Sequence, residues 1–187
     1  MNRFQASITY SKETLLKLED AIYHAFGLKG TLIRGILGIA MIMVGIHFGG
    51  VGGMISIFLG ALIATAGNIM NRIRGENTAA ALKGNTIKVS YTFTDQAIRI
   101  ESIREKGTIK YEKLIRLYEE GGYYFLFPDR KSGYMIDKKS IEKEKRKAFR
   151  EFMTKKTGLE WTQEVSLKRL DIATIIHNHK NTKRLTK

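Results

Sequence analysis

Cysteine is absent from the 187-residue chain, which excludes disulfide bonds and thiolate metal sites and is compatible with a reducing compartment. Charge is absent locally, because residues 35–67 contain no Asp, Glu, Lys or Arg and His47 is their only ionisable side chain. Acidic residues are scarce elsewhere: 18 Asp and Glu stand against 32 Lys and Arg, a net charge of +14. The basic remainder therefore requires an anionic partner or surface.

Motifs for catalysis and for metal binding are also missing. The glycines at 49–53 are not followed by Lys-Ser/Thr and lie in an apolar run, which excludes a phosphate-binding loop. His177 and His179 have no third ligand near them in the sequence. Glu119 and Glu120 would point to opposite faces of a strand, so a solvated turn is favoured over a carboxylate pair. We predict no catalytic residue, no metal, no cofactor and no enzymatic activity.

The uncharged segment predicts two membrane-spanning helices. A bilayer core about 30 Å thick requires roughly 20 apolar residues as a helix, so residues 35–67 are too long for one span and just long enough for two. The glycines at 49–53 lower helix propensity and permit the positive φ of a tight turn. We predict a transmembrane hairpin over residues 31–72, with helices near 32–48 and 54–71.

Two other interpretations of this segment are less favoured. Core helices of a globular protein would be amphipathic, whereas these are apolar all round. The Ala64-Thr65-Ala66 sequence is similar to a signal-peptide cleavage motif. However, the apolar run begins late and is much longer than the core of a signal peptide.

Small residues recur along one side of each predicted helix: Gly38, Gly45 and Gly49 in the first, and Gly52, Ser56, Gly60 and Ala64 in the second. This spacing allows helix backbones to approach closely in lipid. We predict that these residues pack the hairpin, with homodimerisation as the alternative.

The flanking charges predict the orientation of the hairpin. Residues 1–34 carry five Lys and Arg, residues 71–187 carry twenty-seven, and the loop between the helices carries none. The positive-inside rule therefore places both termini in the cytoplasm.

Outside the hairpin, residues 1–30 are predicted to form a strand and an amphipathic helix that join the cytoplasmic domain, with Gly27 and Gly30 ending the helix. Residues 73–84 are predicted as a linker. Short alternating strands follow in residues 85–158, and a final helix is predicted from Ser140 to Gly158. Residues 159–187 form a basic tail. The fold class predicted is thus α+β, with a transmembrane hairpin and an antiparallel sheet capped by a C-terminal helix.

Three stretches carry a family resemblance: KYEKLIRLYE at 110–119, YYFLF at 123–127 and YMIDKKSI at 134–141. With the N-terminal strand and the paired spans, they make residues 4–157 similar to the YcxB-like family. Ile141 departs from the aromatic residue usual there. The resemblance implies a bacterial inner-membrane protein in which a two-helix hairpin precedes a pleckstrin-homology-like domain, and it implies no catalytic residues.

Cations are concentrated in the last predicted helix, where the candidate contacts to anionic lipid are Lys138, Lys139, Lys143, Lys147 and Arg150. Each such group is worth about 1 kcal/mol when it lies close to an anionic leaflet. Positive-inside bias with a solvated helix face explains the same pattern, so both interpretations stay open. Nucleic acid is disfavoured because no binding motif is present.

The sequence therefore predicts an integral inner-membrane protein whose cytoplasmic domain serves binding or scaffolding through anionic lipid or a protein partner. The alternative is an immunity or envelope-stress protein that protects the membrane against membrane-active peptides.

Overall fold

The computed structural model describes residues 2–80, 82–103 and 106–163. Two compact units divide the chain. One contains the residues up to Thr14 and those from Gly84 onward, and the other contains Leu15–Lys83. We call them the sheet unit and the helical unit.

The first sheet of the sheet unit is antiparallel, with the strand order β1-β2-β3-β4. Its strands are β1 (Asn2–Tyr10), β2 (Ile87–Thr94), β3 (Ala97–Ser102) and β4 (Lys106–Lys110). Tyr10 pairs with Ile87 although the whole helical unit separates them in the sequence. The N-terminal strand is therefore an integral part of the sheet unit.

The second sheet has the strand order β7-β6-β5-β8. Its strands are β5 (Arg116–Glu120), β6 (Tyr123–Phe127), β7 (Tyr134–Asp137) and β8 (Trp161–Gln163). β8 runs parallel to β5, unlike the other pairs. The Thr162 hydroxyl donates to the Leu117 carbonyl oxygen at 3.0 Å, which fixes this edge strand.

The C-terminal helix α4 (Arg146–Thr157) covers an aromatic core. Phe149 is fully buried, and its ring centroid lies 5.0 Å from that of Phe93, 5.4 Å from that of Tyr124 and 6.3 Å from that of Trp161. The helix ends at Gly158, whose φ of 68° lies in the left-handed region that glycine adopts without strain. The predicted α+β class and the C-terminal helix are confirmed.

The predicted start of this helix at Ser140 is wrong. Ser140 belongs to the 3₁₀ turn Lys138–Ser140, and a second turn, Lys143–Lys145, precedes α4. The Ser140 hydroxyl donates to the Asp137 carbonyl oxygen at 2.6 Å and accepts the Ser7 N–H at 2.9 Å. It therefore ties the turn to β1 instead of capping a helix.

The helical unit contains α1 (Lys12–Ile22) from Leu15 onward, a π-helical turn (Tyr23–Gly27), α2 (Leu28–Phe48) and α3 (Gly50–Ala80). α1, the π turn and α2 follow one another without a break, so Gly27 and Gly30 do not end a helix as predicted. α3 begins and ends outside the predicted 54–71. The predicted linker over 73–84 is thus wrong as far as Ala80, because that part is helical.

Candidate functional site: an apolar helical pair and a basic face

The helices α2 and α3 have apolar side chains on the outside. Large hydrophobic residues of both helices are exposed, among them Ile46 at 69%, Phe48 at 79%, Val51 at 70% and Phe58 at 66%. Contiguous apolar surfaces of this kind are rare on soluble monomers and mark contact with a membrane or a partner.

One helix in the described part of the chain, Gly30–Phe48, is long and apolar enough to cross a membrane, and 11% of it is buried. The apolar part of α3, Gly50–Ala66, is shorter. The structure therefore supplies one candidate span near the N-terminus, with a second apolar helix beside it.

Glycine lies where the two helices meet. A Cβ atom on Gly38 would lie 2.5 Å from the Gly60 carbonyl oxygen, and one on Gly45 would lie 2.5 Å from that of Gly53. The Ser56 hydroxyl donates to the Met41 carbonyl oxygen across the same contact at 2.9 Å. The two helices thus run antiparallel at a separation that only glycine permits at these positions.

The predicted packing residues fall into three groups. Gly38, Gly45, Ser56, Gly60 and Ala64 lie in the contact between α2 and α3. Gly49 instead forms the connection, with φ of 62°. The predicted packing role of Gly52 is wrong, because a Cβ at this position would meet nothing within 4 Å. Gly53 lies in the contact instead. The missed signal is a seven-residue spacing, shared by the pairs Gly38–Gly45 and Gly53–Gly60.

The candidate lipid contacts do not form one surface. Lys138 Nζ lies 2.7 Å from Glu119 Oε1, donates to the Gly121 carbonyl oxygen at 2.7 Å and lies 5.1 Å from the centre of the Tyr124 ring. Arg150 Nε lies 3.4 Å from Glu119 Oε2, at ion-pair distance but without hydrogen-bond alignment. The side chains of Glu119 and Lys138 are each 16% exposed. Lys138 and Arg150 therefore neutralise Glu119 within the fold.

The solvated turn predicted at Glu119 is consequently wrong. Glu119 lies in β5, and its carboxylate joins that strand to the turn after β7 and to α4. Lys139, Lys143 and Lys147, in contrast, are exposed, and their side chains form no ion pair within the described residues. We call these three the basic face.

Replacing Glu119 with glutamine is expected to lower the free energy of unfolding of the sheet unit by about 2–4 kcal/mol, because two partly buried cations lose their counter-charge. Chemical denaturation followed by the fluorescence of Trp161, the only tryptophan, measures this. Glu142→Gln is the matched control, since its ion pair with Lys145 is exposed and is worth at most about 1 kcal/mol. Equal effects of the two substitutions would contradict the role of Glu119.

Buried tyrosines contribute packing instead of chemistry. Tyr10 and Tyr91 have their hydroxyl oxygens 3.3 Å apart, and the Met135 N–H donates to the Tyr10 hydroxyl oxygen at 3.2 Å. Burial raises the pKa of both phenols, so they are neutral at physiological pH and connect β1, β2 and β7.

A cavity of about 380 Å³ between β1 and the turns before α4 has Arg3 and Lys145 in its lining. Arg3 is paired with Asp95, whose pKa this hydrogen bond lowers, and Lys145 is paired with Glu142. Among the described residues no three His, Cys, Asp or Glu side chains are grouped for a metal. His177 and His179 lie outside the described residues.

These features define an α+β protein in which an apolar helical pair follows the first strand of a two-sheet unit. Residues 93–153 match the family model described as YcxB-like protein. This match confirms the predicted family resemblance over the stretch from the end of β2 to α4. Comparison with curated proteins and with solved structures gives no match.

Proposed function

We propose that the chain is an integral membrane protein whose helices α2 and α3 both cross the bilayer, with both termini in the cytoplasm. The observation that carries this proposal is the arrangement of glycine between the helices and large apolar side chains on their outer surface. In water such a pair would expose its apolar surface, whereas in lipid only the close backbone approach is needed to hold it together.

The length of α3 supports the second span. Gly50–Ala66 is about 25 Å long at 1.5 Å per residue, which is short of a bilayer core of about 30 Å. The helix continues to Ala80, however, and the first charged residue after its start is Arg72. The uncharged part of α3 is therefore long enough to cross.

The sheet unit is proposed to be pleckstrin-homology-like. After the helical pair, β2, β3 and β4 complete the first sheet that β1 begins, β5, β6 and β7 form most of the second sheet, and α4 follows them. β1 precedes the helical pair and pairs with β2 after it, so the pair is inserted between the first two strands. β8 is an addition to this pattern.

The proposed role of the sheet unit is binding or scaffolding at the membrane surface, with the basic face docking on anionic lipid. Lys139, Lys143 and Lys147 are exposed within nine consecutive residues, and three lysines near an anionic leaflet contribute about 3 kcal/mol together. Lys138 and Arg150 are left out of this surface because they are held by Glu119.

Docking is tested on the intact chain, since a fragment starting after the helical pair would lack β1. A cysteine introduced in place of Ala148, an exposed neighbour of Lys147, is labelled with an aqueous maleimide in nanodiscs of neutral or anionic lipid. We expect labelling to be about tenfold slower in anionic discs and salt to restore it. A cysteine in place of Ser90, which is exposed on β2, is the control for a position outside the basic face.

The charge control compares two triple substitutions to glutamine. Changing Lys139, Lys143 and Lys147 should abolish the protection of the cysteine at position 148, while changing the exposed Lys88, Arg99 and Lys110 of the first sheet should leave it intact. Equal labelling in both kinds of disc would refute docking on lipid and would direct the search to a protein partner.

A further inference from the structure

Arg34 lies within the candidate span Gly30–Phe48, one turn after its start. A guanidinium there is costly unless it reaches the interface or finds a partner. A Cβ on Gly30 would lie 3.6 Å from Arg34 Nη1, so the guanidinium extends back along the helix toward the start of the span. The absence of a side chain at Gly30 leaves this path open.

The position of the guanidinium is fixed by Thr31. The Thr31 hydroxyl donates to the Gly27 carbonyl oxygen at 3.2 Å and accepts from Arg34 Nη2 at 3.1 Å. The Tyr23 hydroxyl lies 2.7 Å from the same oxygen. Because Thr31 has only one proton to donate, Tyr23 is the donor in that hydrogen bond. Thr31 is then saturated and holds Arg34 in place.

The π-helical turn positions Tyr23 for this contact. A Cβ on Gly27 would lie 2.6 Å from the Tyr23 ring, so the ring occupies space that any other residue at position 27 would fill. π turns inside helices are frequent at functional sites. Gly27 and Gly30 together make room for the two side chains that converge on Thr31.

The guanidinium has unused capacity. Of its five N–H donors, one on Nη2 is used by Thr31 among the residues that the structure describes. Nε is buried and has no hydrogen-bond partner there, so the donors that a ligand can reach are the remaining ones on the two Nη atoms. Leu32 and Ile33, next to Thr31, are 68% and 50% exposed apolar side chains. A ligand that suits this site therefore combines an anionic group, which accepts hydrogen bonds from Arg34, with an apolar part that contacts Leu32 and Ile33.

We propose that Arg34, held in place by Thr31 and Tyr23, binds the phosphate group of a single phospholipid, whose acyl chains contact the exposed apolar side chains beside it. Guanidinium and phosphate form strong charge-assisted hydrogen bonds, and phosphate is the anion found at the depth of a span's end. This site rests on the proposed membrane insertion and is distinct from the basic face of the sheet unit.

The test is native mass spectrometry of the full chain in detergent, titrated with dioleoylphosphatidylglycerol. Arg34→Gln is expected to weaken the first binding event by about 10- to 100-fold, the value of a charged hydrogen bond. The lipid affinity of the Arg34→Lys protein should lie between those of the Arg34→Gln and unsubstituted proteins. Lysine keeps the positive charge but lacks the planar guanidinium with its paired N–H donors. Thr31→Val should weaken binding to a smaller extent. Lys12→Gln, an exposed cation at the start of α1, should change nothing.

The lipid itself is varied in parallel. Phosphatidylcholine should bind at the Arg34-dependent site as well, while diacylglycerol, which lacks phosphate, should not. Equal affinity for diacylglycerol, equal binding by the Arg34→Gln protein, or displacement of the lipid by millimolar inorganic phosphate would each overturn the proposal.

Failure of the membrane proposal is recognised separately. It would appear as loss of the unsubstituted protein from carbonate-washed membranes. Failure of the phosphate site would leave that association intact in both the original and the Arg34→Gln proteins.

Discussion

Replacing Gly45 with leucine is expected to separate α2 from α3. A Cβ at this position already meets the Gly53 carbonyl oxygen at 2.5 Å and the Ile57 side chain at 2.7 Å. Backbone cannot rotate away as a flexible side chain can, so the cost lies at the upper end of the roughly 1–3 kcal/mol typical of overpacking. Because the chain contains no cysteine, spin labels on cysteines introduced in place of Ile39 and Leu59 report the distance between the helices without background.

The matched control is Gly52→Leu, in the same helical pair and with the same added volume. A Cβ on Gly52 meets nothing within 4 Å, so the distance distribution between the labels should stay narrow and unchanged. With Gly45→Leu it should broaden and shift to longer values. Indistinguishable distributions for the two variants would show that the glycines do not set the separation of the helices.

The second large effect is expected from Phe149→Ala in α4. Phe149 is fully buried and contacts aromatic rings from β1 and β2 of the first sheet and from β6 of the second. Its truncation should lower the free energy of unfolding of the sheet unit by about 3–5 kcal/mol, through lost burial and the cavity that remains. Denaturant titration of the detergent-solubilised protein, followed by Trp161 fluorescence, measures this change.

Ile103→Ala controls for the loss of a large apolar side chain as such. Ile103 is 91% exposed, so its truncation should change the free energy of unfolding by less than about 0.5 kcal/mol. A loss below about 1 kcal/mol for Phe149→Ala would mean that α4 does not close the core of this unit.

Local patterns predicted much of the fold. Alternating residues indicated β1 and β2, and the glycine at 158 marked the end of α4, because periodicity and left-handed caps depend on neighbours in the sequence. The same reasoning failed at Gly27 and Gly30, which lie inside helical segments. Glycine is needed at these two positions because the side chains of Tyr23 and Arg34, each one turn away, occupy the space beside them. An argument from helix propensity does not include such contacts.

Contacts between distant residues were the other source of error. In the sequence, Lys138 and Arg150 look the same as Lys139 and Lys147, because all four are cations of one basic stretch. Only the fold shows that the first two form ion pairs with Glu119. β8 has three residues and pairs in parallel with β5, so it has too little length for a sequence pattern. In the helical pair, we assumed a four-residue spacing of small residues and therefore predicted Gly52 in the contact, whereas Gly53 lies there.

The orientation of the helical pair is tested most directly by labelling single cysteines in spheroplasts of bacteria that produce the full chain. Val51 lies at the start of α3 beside the connection between the helices, and Ser90 lies exposed on β2. A membrane-impermeant maleimide should label a cysteine at position 51 in intact spheroplasts, and one at position 90 only after lysis. Labelling of both positions only after lysis, or of position 90 before it, would contradict a hairpin that crosses the membrane with both termini inside.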